Sequence, residues 1–167
     1  AMGWAIPASI GAAFEKKNQR IICVIGDGSL QMNIQELSTI IQHQLPIKIF
    51  ILNNGGYSMI RQTQDQWLDS KYEASSKEGG LVFPNFIKIS EAYGFKTVNI
   101  TSNQGMNEYI KETLSGLDPV ICNVEIPATH RVIPLAKFGY PNEDQEPLLS
   151  RSEFFKNMII EPLAVSK

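Results

Sequence analysis

VIGDGSLQMN, residues Val24 to Asn33, sets an aspartate between two glycines at the end of a wholly apolar run. A second apolar run, IKIFIL (Ile47 to Leu52), ends in a similar way on NNGGY, Asn53 to Tyr57. Asp-Gly and Asn-Gly are the usual dipeptides of tight hairpins, so a pair of turns is the first reading to test. A hairpin at Asp27 needs an antiparallel strand next. The chain carries a helical pattern there instead: Asn33 stands at a cap position, Glu36 completes a capping box, and Ile34, Leu37, Ile40 and Ile41 form an apolar stripe ending near Gln44, before Pro46. Strand, helix and strand therefore succeed one another, and a right-handed crossover brings both strand ends to one edge of a parallel sheet. RIICVI, Arg20 to Ile25, is apolar without alternation, which predicts a strand buried on both faces.

Upstream, AMGWAIPASIGAAFEKK becomes helical at about Ile6 or Pro7, a favourable first-turn proline, with Ile6, Ile10, Ala13 and Phe14 at helical spacing. Downstream, a short helical stretch is expected from Tyr57 to Gln62. The polar run from Gln62 to Gly80 reads as a long surface segment or lid. PNFIKISEAY makes a helix closed at Gly94, KTVNI a strand, NEYIKETLS a helix closed by Gly116, and PVICNVEI a last strand. This alternation predicts an α/β domain over residues 1–126, a parallel sheet with helices on both faces. Residues 127–167 read as a tail packing on it: the stretch to Pro147 carries four of the nine prolines, and RSEFFKNMIIEPL then forms a terminal helix.

Composition narrows the function classes. The 167 residues, 43% hydrophobic, suffice for one core. A net charge of -2 without a basic block lacks the electrostatic footprint of a nucleic-acid binder. The apolar runs are too short to span a bilayer and no secretory leader pattern is present, so no membrane role and a cytoplasmic location are expected. Cys23 and Cys122 lie inside apolar, strand-like runs and read as reduced core residues. His43 and His130 have no partners at zinc-ligand spacing.

The strand ends carry the chemistry. Neighbouring parallel strands lie about 4.8 Å apart, so the Asp27 carboxylate and the Asn54 carboxamide can reach one ion, with a backbone carbonyl just beyond, taken at Gly56. An all-oxygen set suits magnesium or calcium rather than a soft metal. Three protein ligands leave an octahedral magnesium ion incomplete, and it characteristically completes its sphere with water and phosphate oxygens. Gly26, Gly28, Gly55 and Gly56 would let a diphosphate approach the backbone, while helix starts after Ser29 and Gly56 offer N–H groups.

GDGSLQMNIQELSTIIQHQLPIKIFILNN, Gly26 to Asn54, resembles the thiamin diphosphate signature, with Asp27 standing 27 positions before Asn54. AMGWAIPASIGA and FPNFIKISEAYGFK are similar to stretches of acetolactate synthase catalytic subunits, so the likeness covers about Ala1 to Glu125. It implies the thiamin diphosphate-binding fold, with thiamin diphosphate and Mg2+ as cofactors. Asp27 and Asn54 would be side-chain ligands of the ion and Gly56 its backbone ligand. Gly26, Gly28, Ser29 and Tyr57 would lie around the cofactor. Met2 stands where the family has the bulky residue that wedges the cofactor into a V, or is simply an apolar residue before a helix. Met59 and Ile60 fall where these synthases line the substrate pocket, and first-turn packing is the alternative.

There are departures. Thr63 occupies the position of the tryptophan that favours 2-ketobutyrate as acceptor, and NNGGY is more similar to the Asn-Asn-Asp-Gly-Tyr of pyruvate and indolepyruvate decarboxylases. In the family a glutamate that activates the pyrimidine ring comes from a pyrimidine-binding domain of the same or another chain, and nothing here corresponds to it. The resemblance thus implies the carboxyl-terminal, diphosphate-binding portion of a homo-oligomeric enzyme acting on 2-keto acids such as pyruvate. Decarboxylation followed by carboligation is the first reading. A 2-keto acid decarboxylase and a non-catalytic diphosphate-binding module are the alternatives. FAD, used structurally by some relatives, is left unassigned.

Overall fold

The computed structural model describes residues 1–136 and 139–166. The chain divides into two compact units, Ala1–His130 and Arg131–Lys167. In the first, β1 (Ile21–Gly26), β2 (Ile47–Asn53), β3 (Lys96–Ile100) and β4 (Val120–Glu125) form one parallel sheet in the order β1-β2-β4-β3. The helices are α1 (Ala5–Glu15), α2 (Asp27–Gln31), α3 (Leu37–Gln42), α4 (Ser58–Trp67), α5 (Phe86–Tyr93) and α6 (Met106–Thr113), and the second unit holds α7 (Arg151–Asn157). The expected α/β class and the four strands are found where the apolar runs placed them.

The register explains the core. Ile21, Cys23 and Ile25 pair with Ile47, Ile49 and Ile51, and Ile49 pairs with Ile121, so these side chains share one face. They pack with Ile6 and Ala13 of α1, Leu37 and Ile40 of α3, and Phe86 of α5. Burying each large aliphatic side chain stabilises the fold by about 1.5–3 kcal/mol relative to exposure. On the other face Val98, Ile100, Val120 and Cys122 pack with Met106 and Ile110 of α6. Cys23 and Cys122 therefore lie on opposite faces, both buried and free, and desolvation pushes both thiols up in pKa. Lys48 is the second residue of β2 and is fully buried; its Nζ donates to the carbonyls of Ser115 and Asp118 at 2.8 and 2.6 Å, tying down the turn before β4.

Four expectations are corrected. β1 is an edge strand buried on one face only: Ile22 and Val24 are 56% and 57% exposed, because α6 covers the β3–β4 side of that face and, among residues of this unit, nothing comparable covers β1. The Asn33 capping box does not form. Asn33 sits at φ −136° with no capping bond, and the helix it was to start begins at Asp27, breaks after Gln31, and resumes through a 3-10 turn at Ile34–Glu36 into α3. The helix after NNGG runs on to Trp67, so the polar segment is helical over its first residues. The terminal helix stops at Asn157 rather than near Leu163. Ile159 and Ile160, at 99% and 75% exposure, bury no helical face, and Pro162 cannot continue one.

Helix ends are capped as their residues require. Asn85 accepts from the Lys88 amide at 3.0 Å to start α5, and Gly94, at φ +94°, ends it in the left-handed conformation. In the second unit Ser150 caps α7, and Arg151 donates to both carboxylate oxygens of Asp144 at 2.9 Å while lying 4.7 Å over the Phe154 ring. An isolated antiparallel bridge joins Leu135 to Glu146.

Candidate functional site

Because β1 and β2 are parallel neighbours, with Gly26 opposite Leu52, the residues just past both strands meet at one sheet edge. Asp27 opens α2 and is 2% exposed. Its Oδ1 accepts from the Gly28 amide at 2.7 Å, and its Oδ2 accepts from the amides of Asn54 and Gly56 at 3.2 and 3.1 Å. The carboxylate thus draws the 54–56 loop across to the end of β1. A carboxylate offers about four lone-pair positions, so three N–H donors leave room for a cation. Burial pushes the Asp27 carboxyl above the usual carboxylate range, while the backbone N–H groups of Gly28, Gly56, Gly55 and Asn54 pull it back. Among the described residues no lysine or arginine contributes to holding it charged.

The glycines are close-approach positions. A Cβ at Gly28 would come within 2.2 Å of the Tyr57 ring, and one at Gly56 within 2.3 Å of the Ser75 carbonyl. The N–H groups expected to be open are partly used: Gly28 and Gly56 donate to Asp27, and Tyr57 donates to the Ser75 carbonyl at 3.0 Å. Tyr57 packs edge-on against Phe83, with ring centroids 5.7 Å apart. The polar segment expected as a long surface segment or lid is hydrogen-bonded here. Ser75 and Ser76 are buried, Ser75 Oγ donates to Gln64 Oε1 at 2.5 Å, and Gln64 Nε2 donates to the Glu73 carbonyl at 3.0 Å.

Ser29 and Asn33 act on the amino-terminal segment. The Gly3 amide donates to Ser29 Oγ at 2.8 Å, and Asn33 Nδ2 donates to the Gly3 carbonyl at 2.8 Å. Gly3, at φ +82°, fits because a Cβ would lie 2.6 Å from that Nδ2. This latch sets Met2, half exposed, beside α2. Asn33 is therefore a positioning group rather than a helix cap. Met59 and Ile60, 55% and 48% exposed in the first turn of α4, do not pack into the core.

The structure thus brings together Asp27, Gly28, Asn54, Gly56 and Tyr57, links Ser29 to Met2 through Gly3, and leaves Met59 and Ile60 on the surface of α4. Sequence reasoning missed two groups. One is a carboxamide ladder: Asn123 donates to Asn99 at 2.8 Å, Asn53 donates to Asn123 at 3.0 Å, and Asn53 Oδ1 accepts from the Gly55 amide at 3.3 Å. The other is Arg61, 4% exposed, whose Nη2 donates to the backbone and side-chain oxygens of Asn54. The signal for it was present: SMIRQTQDQW has no apolar stripe, so the inward side of α4 had to be polar.

Chemically, the edge offers hard oxygen donors and glycine backbone at close approach, which suits a divalent cation carrying phosphate oxygens. Among the described residues no cluster of three or more His, Cys, Asp or Glu side chains could hold a metal ion, so a soft or carboxylate-rich centre is not what this edge provides. No helix is long and apolar enough to cross a membrane among the described residues.

The chain is similar to known proteins. The family model described as thiamine pyrophosphate enzyme, C-terminal TPP binding domain, matches residues 1–124. The acetolactate synthase large subunit of Porphyra purpurea is 38% identical over 141 residues, 84% of this chain and 24% of that protein. The acetolactate synthase isozyme 1 large subunit of Escherichia coli (strain K12) is 31% identical over 143 residues, 86% of this chain and 25% of that protein. Among solved structures, the Rhodococcus jostii RHA1 thiamine diphosphate-dependent 4-hydroxybenzoylformate decarboxylase superposes with a TM-score of 0.67 at 25% identity, covering 75% of this chain and 23% of that one. The chain spans about a quarter of the length of these relatives.

Proposed function

The chain belongs to the family of thiamine pyrophosphate enzymes, matching their C-terminal TPP-binding domain, and from that premise we propose that it supplies the Mg2+- and diphosphate-binding half of an enzyme that decarboxylates a 2-keto acid and transfers the product carbon unit to an acceptor carbonyl, as an acetolactate synthase does. The observation that carries this reading is the closure of the 54–56 loop onto Asp27, which sets a buried carboxylate, a carboxamide oxygen and glycine backbone at one sheet edge. In this reading Asp27, the Asn54 carboxamide and the Gly56 carbonyl hold the ion, and Gly26, Gly28, Ser29 and Tyr57 border the diphosphate. Thiamin diphosphate, when bound, supplies the electron sink for decarboxylation. The residues of this chain orient it. Asp27 fixes the ion, the latch from Ser29 and Asn33 to Gly3 sets Met2 as the wedge under the cofactor, and Met59 and Ile60 face the substrate.

A pyrimidine-binding domain, from the same or another chain, completes the site in a cytoplasmic homo-oligomer. The bare apolar face at Ile22 and Val24 supports a partner of that kind. The decarboxylase alternative is favoured by one observation, the likeness to a 4-hydroxybenzoylformate decarboxylase. The test is an assay of pyruvate conversion by the chain alone, and by the chain mixed with a separately expressed pyrimidine-binding domain, both with thiamin diphosphate and Mg2+. Acetolactate on mixing only is expected. Turnover by the chain alone contradicts the half-site account, and aldehyde without acetolactate moves the assignment to a decarboxylase.

A further inference from the structure

Arg61 is a buried cation with no hydrogen-bonded acid partner among the described residues, although the exposed Glu78 carboxylate feels its charge from farther off. It is 4% exposed, its Nε has no hydrogen-bond partner among the described residues, and the hydrogen bonds of its guanidinium there go to the two oxygens of one residue, Asn54 O at 3.2 Å and Asn54 Oδ1 at 3.1 Å. No carboxylate lies within ion-pair distance of it among the described residues. A guanidinium buried for stability alone would carry an acid partner, since burying a charge with an unpaired donor is unfavourable. Its effect has to be sought in what it holds.

Both bonds come from Nη2, so one nitrogen fastens the main chain and the side chain of Asn54 together and fixes the carboxamide rotamer. A guanidinium only donates, so the atom facing it has to be the oxygen, and the amide cannot turn its NH2 group that way. That oxygen keeps a second lone pair. The fork also reaches the other end of the loop, because a Cβ at Gly56 would lie 3.4 Å from Nη1. Arg61 thus underlies both Asn54 and Gly56 from one helical position.

Resting on the reading of Asn54 as a ligand of the ion, we infer that Arg61 is the positioning residue of the metal site, holding the Asn54 carboxamide with its oxygen presented to the cation. Groups that orient metal ligands from outside typically change metal affinity by about 10–100-fold when removed. The test titrates Mg2+ into the full chain with thiamin diphosphate present, comparing wild type, Asp27→Ala and Arg61→Met, which keeps most of the stem. Arg61→Met is expected to weaken Mg2+ binding about 10–100-fold with an unchanged melting temperature, and to split or broaden the Asn54 side-chain amide resonances. Mg2+ binding in Arg61→Met equal to wild type, while Asp27→Ala abolishes it, overturns the inference and leaves the functional reading standing. Absence of Mg2+ binding in wild type overturns the functional reading itself, and with it the role of Arg61. A measurement on wild type needs no variant to fold: the Arg61 guanidinium N–H groups should exchange slowly with and without Mg2+ and thiamin diphosphate, and fast exchange in the loaded state contradicts the inference.

Discussion

Asp27 and Asp144 are both buried carboxylates, 2% and 4% exposed, and the chain treats them oppositely. Asp144 receives the Arg151 guanidinium on both oxygens, and that fork holds its carboxyl below the usual carboxylate range. Asp27 receives, among the described residues, backbone N–H groups alone, and burial pushes its carboxyl up. The two arginines mirror this: Arg151 has its acid, whereas the Arg61 hydrogen bonds end on the carbonyl oxygens of Asn54. A charge pair completed within one unit serves that unit's packing. A carboxylate and a guanidinium that hold the same loop without being paired to each other leave both charges available to something added. On the proposed reading, that contrast separates a structural ion pair from a site.

The largest expected difference lies between removing one carboxylate and removing the other. Asp27→Ala should lower Mg2+-dependent thiamin diphosphate binding by more than the roughly 100-fold typical at the upper end for outer groups, whereas Asp144→Asn should leave binding within about twofold and instead lower the melting temperature of the chain. Calorimetric titration and thermal melts on both variants give the four numbers, and equal loss of binding in both erases the distinction. Next in size, Gly56→Ala drives a Cβ to 2.3 Å from the Ser75 carbonyl, where backbone cannot yield cheaply. About 1–3 kcal/mol of stability should be lost, read from denaturant unfolding, and the cofactor affinity should fall with it.

A smaller effect tests how the loop beside Asp27 is held. Asn123→Ala removes the middle rung between Asn99 and Asn53 and should cost about 1–2 kcal/mol, with a modest weakening of Mg2+ binding through Gly55. The smallest is a pH effect confined to the second unit. Because Arg151 depresses the Asp144 carboxyl, its stabilisation is complete above the ordinary carboxylate pKa and is lost as pH falls through the depressed value. Hydrogen exchange of α7 amides should therefore quicken on acidification in wild type, and the Asp144→Asn variant should lack that step.

Much of the fold was legible because its signals are local. Continuous apolar runs alternating with capped helical periods define a parallel sheet, and once β1 and β2 are parallel neighbours, Asp27 and Asn54 must share an edge. Cooperation between distant residues was not legible. The order β1-β2-β4-β3 comes from a crossover that skips a strand position, and β1 stands at its edge with Ile22 and Val24 bare. Asn33 reads as a cap because its spacing to Glu36 is right, yet its amide is drawn to Gly3, 30 residues away. The polar run after Gln62 reads as a long surface segment or lid, since burial of Ser75 depends on Gln64 of a helix longer than its pattern suggested. For Arg61 the sequence carries only the polar character of α4, while its bonds to Asn54 depend on the fold.

Everything proposed for this chain turns on where the cation sits, and the anomalous scattering of Mn2+, used in place of Mg2+ in crystals of the chain grown with thiamin diphosphate, locates it outright. The predicted result is an ion coordinated by the Asp27 carboxylate, Asn54 Oδ1 and the Gly56 carbonyl at about 2.1 Å, with diphosphate oxygens completing its sphere and Arg61 still bonded to Asn54. An ion bound elsewhere, or a diphosphate held without Asp27 and Asn54, would contradict it.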